Sequence, residues 1–192
     1  MSAALLAGLF AFFSMHALAL FAPGRREAWR KFLGPLLFKG LYSLVSLAGL
    51  ILIVRGYEQS AIYPRYLYLP PYGTRIVTAL LMVPVFVLLI TAYLPGRYLG
   101  RIRHPMLSAT VLWAVAHLLS NGTWADIALF GSFGLWALLM WLRDPANAPE
   151  RLAPPPPPSV RNDVIAIAGG AALYAFFYYA AHGWLFGTTP YV

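Results

Sequence analysis

Residues 75–94 run RIVTALLMVPVFVLLITAYL, and after Arg75 no charged side chain follows until Arg97. A helix needs about 20 mostly apolar residues to cross the hydrocarbon core of a bilayer. Irregular backbone cannot face lipid, because nothing there satisfies its N–H and C=O groups. The stretch therefore predicts a transmembrane helix. Working outward from it, comparable apolar runs lie at roughly 3–21, 38–56, 105–121, 124–142 and 163–186.

Composition agrees. Of the 192 residues, 60% are hydrophobic and only 10% charged, and mean hydropathy is +0.68. A water-soluble domain carries roughly 25% charged residues, so this chain cannot cover a water-facing surface. The expected fold class is all-α: a polytopic membrane helix bundle of about six transmembrane helices, in a single domain over residues 1–192, with the lipid bilayer as its solvent. The first apolar run lacks a basic segment before it and is followed by its Arg and Lys residues, so it is expected to be a retained helix rather than a secretory signal.

Turn residues punctuate the runs. Pro23-Gly24 and Pro95-Gly96 are expected to stop the first and third spans, and Asn121-Gly122 the fourth. Thr123, with Asp126 three residues on, has the spacing of a capping box, which makes spans four and five a tight antiparallel hairpin. The proline run Pro154–Pro158 is expected to be a stiff spacer. The loop from Tyr63 to Tyr72 is dense in tyrosine and suits an interfacial aromatic belt or a lid over an apolar cavity.

The net charge of +8 comes from fourteen basic and six acidic residues. The basic residues lie between apolar runs rather than in a stripe with interleaved aromatics, so nucleic acid is not an expected partner. They orient the chain instead. Arg25, Arg26, Arg30, Lys31, Lys39, Arg97, Arg101, Arg103, Arg143, Arg151 and Arg161 fall on one side; Arg55, Arg65 and Arg75 fall on the other. This predicts cytoplasmic placement of the larger group and periplasmic termini. The Arg-rich, Ala-rich composition points to a bacterial inner membrane.

There is no cysteine, which excludes thiolate ligands and disulfides. No carboxylate falls in the middle of a span, which argues against an acidic proton relay or a carboxylate-bridged metal pair. Four histidines remain: His16, His104, His117 and His182. An ionisable side chain within a membrane is a functional candidate by default, and neutral imidazole is a good axial ligand for haem iron. At 1.5 Å per residue, His16 lies roughly 20 Å from the periplasmic end of its span and His117 roughly 6 Å from that of its own. His117 with His182, or His16 with His104, are closer in height, whereas His16 with His117 requires a tilted or flat porphyrin. Arg65, Arg75 and Arg103 are candidate partners for haem propionates, since guanidinium matches carboxylate bidentately.

The runs Met15-His16-Ala17-Leu18, Gly40 to Gly49 (GLYSLVSLAG), Arg103-His104-Pro105-Met106-Leu107 and Trp113-Ala114-Val115-Ala116-His117-Leu118-Leu119 together resemble the NnrU family. That resemblance implies an association with denitrification and nitric oxide metabolism. It also implies kinship with 15-cis-zeta-carotene isomerase, a haem b membrane enzyme that isomerises a polyene by redox-dependent ligand switching. By the resemblance, His16 and His117 are the metal ligands. The enzyme's alternative cysteine ligand would fall at Ala114, so any switch here uses another group. Arg103-His104-Pro105 is also similar to a motif of integral-membrane methyltransferases of the isoprenylcysteine carboxyl type, which implies S-adenosylmethionine binding at the cytoplasmic face.

The expected function is therefore an integral-membrane haem b protein with bis-histidine ligation. Its chemistry would be redox-dependent isomerisation of an apolar polyene, an apolar small molecule reaching iron from the bilayer, or a role in nitric oxide metabolism. The alternatives are a non-catalytic accessory protein and a methyltransferase-like protein. Small residues in the last span, Ala166 with Gly170 and Ala171 with Ala175, permit close helix contact within the chain or in a homo-oligomer.

Overall fold

A computed structural model describes residues 1–143, 156–187 and 189–190. Asp144, Glu150, Arg151 and the first two residues of the proline run, Pro154 and Pro155, lie outside the described residues. Among the described residues the fold is all-α, with seven helices: α1 (Ala3–Phe21), α2 (Pro23–Leu33), α3 (Pro35–Ile62), α4 (Thr74–Thr91), α5 (Pro105–Ser120), α6 (Trp124–Leu142) and α7 (Val160–Phe186). Short π-helical stretches interrupt α6 at Ile127–Gly131 and α7 at Phe177–Ala181.

Among the described residues five helices, α1, α3, α4, α6 and α7, are long and apolar enough to cross a membrane. The sixth apolar segment, α5, is a helix of 16 residues, about 24 Å long. Pro105 opens it and Asn121, in extended conformation, closes it. Large apolar side chains such as Phe10, Leu36, Leu80 and Val164 are exposed along these helices. That arrangement is stable only with hydrocarbon as solvent. The chain is a multi-pass membrane protein.

One basic stretch departs from expectation. Residues 23–33 form a helix rather than a loop. Pro23 at its first position fixes a helical φ. Arg30 donates two hydrogen bonds to the Glu27 carboxylate, at 2.8 and 2.9 Å, one turn apart. That contact holds the Glu27 carboxyl below the usual carboxylate range. Arg30 and Lys31 sit in the last turn, where cations suit the helix dipole. Gly34, at φ +78°, ends α2, and Pro35 opens α3. Pro23-Gly24 thus starts a second helix as well as ending the first.

The described residues divide into two compact units. The first comprises Met1–Leu67 with Thr123–Leu129. Its α1 and α3 meet backbone against backbone. A methyl group added at Gly8 would lie 2.6 Å from the Ile53 nitrogen, and one at Gly49 2.8 Å from the Phe12 nitrogen. Small residues allow this approach where lipid offers no hydrophobic drive for association. Ser2 caps α1 and locks it to α3: its hydroxyl donates to the Gly56 carbonyl at 2.7 Å, and its amide donates to Ser60 Oγ at 2.9 Å. The capping box forms as expected, with Thr123 and Asp126 bonded reciprocally. Asp126 is buried and accepts a further bond from the Tyr57 hydroxyl at 2.5 Å. The Trp124 amide donates to the Arg65 carbonyl, so this part of the tyrosine-rich loop is strapped to the start of α6.

The second unit comprises Tyr68–Gly122 with Phe130–Val192. Here α4 packs on α5 and α7, and α5 packs on α6. Thr78 donates to the Ala116 carbonyl at 2.7 Å, which satisfies the hydroxyl inside the α4–α5 contact. Gly170 lies against the Val87 backbone and Ala166 is fully buried, so this small-residue pair is used within the chain. Asp163, buried at the start of α7, accepts from the Leu99 amide at 2.9 Å and the Tyr98 amide at 3.1 Å. Tyr68 donates to the carbonyls of Leu118 and Asn121. It anchors its stretch of the tyrosine-rich loop to the end of α5.

Candidate functional site

His16 lies on α1 within the first unit, half-buried. Its Nδ1 is 2.7 Å from the Phe12 carbonyl oxygen one turn earlier. A carbonyl only accepts, so Nδ1 carries the proton and donates. In the neutral ring the lone pair is then on Nε2. The Phe12 ring stacks on the imidazole at 4.1 Å between centroids and 14° between planes, and Tyr42 of α3 flanks it at 5.2 Å.

His117 lies on α5 within the second unit and repeats the pattern. Its Nδ1 is 2.9 Å from the Trp113 carbonyl oxygen, again one turn back. The Phe130 ring stacks on it at 4.6 Å and 21°, and Trp113 lies 5.3 Å away. Phe130 belongs to the π-helical stretch of α6; such bulges often re-aim side chains at functional positions. Both histidines thus follow an aromatic residue at the fourth position back, give Nδ1–H to its carbonyl and stack on a phenylalanine. In metal-binding histidines, a donor bond of this kind from the second ring nitrogen fixes tautomer and orientation.

His104 differs. It caps α5 in the left-handed region, at φ +50°, a conformation that costs a non-glycine residue of order 1–2 kcal/mol. Its Nε2 is buried without a hydrogen-bond partner. It borders a cavity of about 400 Å³ in the second unit, with Thr91, Pro95, Ile102 and Pro156–Pro158 among the other walls. His182 follows the π-helical stretch of α7 and meets the Phe186 ring edge-on at 5.2 Å.

The three expected arginines are placed differently from one another. The Arg103 guanidinium lies 5.0 Å over the Trp141 ring and donates to the Arg143 carbonyl at 3.1 Å. Its side chain is engaged beside α6 rather than extended into the His104 cavity. Arg65 borders a cavity of about 600 Å³ with Met1, Ser2, Gln59, Ser60, Tyr63 and Trp124. Ser2 and His16 are about 21 Å apart along α1, farther than a porphyrin reaches from iron to carboxylate. Arg75 is exposed one turn before Thr78, whose hydroxyl bonds the carbonyl next to His117.

Arg26, to which the sequence assigns only an orienting charge, connects to His16 through two aromatic rings. From α2 its guanidinium lies 5.7 Å over the buried Phe38 ring. Phe38 is 6.3 Å from Tyr42, the residue flanking His16. Its sequence signal is the start of a helix one residue after α1 ends.

Among the described residues, no three histidine or acidic side chains gather as a bare metal ion would require. Haem has a smaller demand. The porphyrin supplies four nitrogens and the protein need supply only axial imidazoles, each of which has the required tautomer here. The donor chemistry fits haem.

These features define an all-helical, multi-pass membrane protein with two histidines oriented in the same way. The chain belongs to the NnrU family: the family model described as NnrU protein matches residues 4–190. No curated protein and no solved structure matches it.

Proposed function

We propose that the protein is a membrane haem b protein in which His16 and His117 supply axial imidazoles. The single observation carrying this reading is their shared geometry: Nδ1–H given to the carbonyl one turn back, at 2.7 and 2.9 Å, with the ring held by a stacked phenylalanine. Two unrelated helices preparing their histidines in the same way is economically explained by the same task. Membership of the NnrU family supports it.

Bound haem would supply a one-electron couple. The chain's own residues hold the imidazole planes and fix the protonated nitrogen, with Phe12 and Tyr42 against His16 and Trp113 and Phe130 against His117. An apolar substrate dissolved in the bilayer, such as a polyene, would reach such a site without crossing water; nitric oxide, small and lipid-soluble, would do so too. The asymmetry of basic residues supports an orientation with both termini periplasmic, and the Arg- and Ala-rich composition supports a bacterial inner membrane. Protein purified from a haem-replete host should be red, with a Soret band that shifts on reduction and that is lost or turned high-spin in His16→Ala and His117→Ala. Colourless protein would support an accessory role instead.

A further inference from the structure

We infer that Arg26 anchors a carboxylate of the group that His16 binds; this rests on the haem reading above, for which that carboxylate is a propionate. His16 lies five residues before the end of α1, about 7.5 Å along the helix. One residue, Ala22, separates that end from α2, so the first turns of α2 return beside it. From there the guanidinium of Arg26 lies over Phe38, Phe38 contacts Tyr42, and Tyr42 contacts the His16 imidazole. The path from imidazole to cation runs through two aromatic rings, Tyr42 and Phe38, and stays within the first unit.

The other cations of this region are disposed otherwise. Arg30 is bonded to both oxygens of Glu27. Arg25, Lys31 and Lys39 are exposed. Arg26 is half-buried, and among the described residues no carboxylate lies within ion-pair distance of it. A guanidinium packed on an aromatic ring is partly dehydrated already, and its planar fork suits two carboxylate oxygens. A lipid phosphate offers the same charge, so the test must separate the two sources.

The full chain in an uncharged detergent, free of anionic lipid, is titrated with haem b and with haem b dimethyl ester, which lacks free carboxylates. The shift of the Soret band on binding is the readout. Wild type should bind haem b about tenfold more tightly than the ester, equivalent to about 1.4 kcal/mol. Arg26→Gln should lose that preference by weakening haem b alone, Arg26→Lys should retain part of it, and Arg25→Gln should retain all of it. His16→Ala should weaken the binding of both porphyrins alike. An unchanged preference in both Arg26 variants overturns the role of Arg26 and leaves the haem reading standing. Absence of any saturable Soret shift in wild type overturns the haem reading and this inference with it. If Arg26→Gln fails to fold, the partial loss in Arg26→Lys still decides. Preference equal for both porphyrins in wild type, with tighter binding only on adding anionic lipid, assigns the cation to a headgroup and overturns the inference.

Discussion

Tyr57 on α3 donates its hydroxyl to the buried carboxylate of Asp126, at 2.5 Å, across 69 positions of sequence. Asp126 also holds the Thr123 amide at 2.8 Å and the Thr123 hydroxyl at 2.6 Å. The carboxylate therefore both caps α6 and ties that cap to α3. Removing the phenol leaves a buried carboxyl group short of a donor, which costs about 1–3 kcal/mol. Tyr57→Phe should lower unfolding stability in mixed micelles by that amount. Asp126→Ala should lower it further, because the cap is lost as well.

The α1–α3 contact gives a sharper steric prediction. At Gly8 a methyl group meets the Ile53 backbone, which cannot move aside without parting the helices. Gly8→Ala should destabilise by about 1–3 kcal/mol. Gly40, also on α3, has open space around it. Gly40→Ala should lie within about 0.5 kcal/mol of wild type or be mildly stabilising. Equal effects at the two positions would contradict the close packing of α1 on α3.

Asp163 carries the start of α7. Its oxygens accept from the Tyr98 and Leu99 amides, and a side chain at Gly96 would run into them. Asp163→Ala orphans two amides and should cost about 1–3 kcal/mol. Asp163→Asn keeps one acceptor oxygen and should cost less. Gly96→Ala should resemble Asp163→Ala, as measured by the same unfolding transition.

Much of the fold was legible because lipid simplifies the physics. Apolar length alone placed α1 at 3–21 and α6 at 124–142, the bounds observed. The Thr123–Asp126 capping box was also legible, since capping is local. The missed parts are those in which a residue acts across the chain. Charge density made residues 23–33 look like a loop, although Pro23 and the Glu27–Arg30 spacing favour a helix. Gly8, Gly49 and Gly56 were unremarkable until α1 and α3 were side by side. Tyr57 with Asp126, and Asp163 with Leu99, pair residues 69 and 64 apart. At the candidate site the histidines stood out by type, but their tautomers depend on a backbone geometry that residue identity does not reveal. Arg26 was hidden among orienting charges.

The stacked phenylalanines make a prediction of their own. Phe12 and Phe130 hold the two imidazole planes, and such aromatic contacts are worth about 0.5–1.5 kcal/mol. Phe12→Leu and Phe130→Leu should each keep the haem but release it roughly two- to tenfold faster to an excess of a soluble haem acceptor.

The most direct measurement is the optical spectrum of the purified wild-type chain beside those of His16→Ala and His117→Ala, oxidised and reduced, all confirmed folded by circular dichroism. Ligation by both imidazoles predicts a low-spin Soret band in wild type that shifts on reduction, with each single variant losing haem or turning high-spin. A folded wild type with no Soret band, or variants whose spectra match it, would contradict the account.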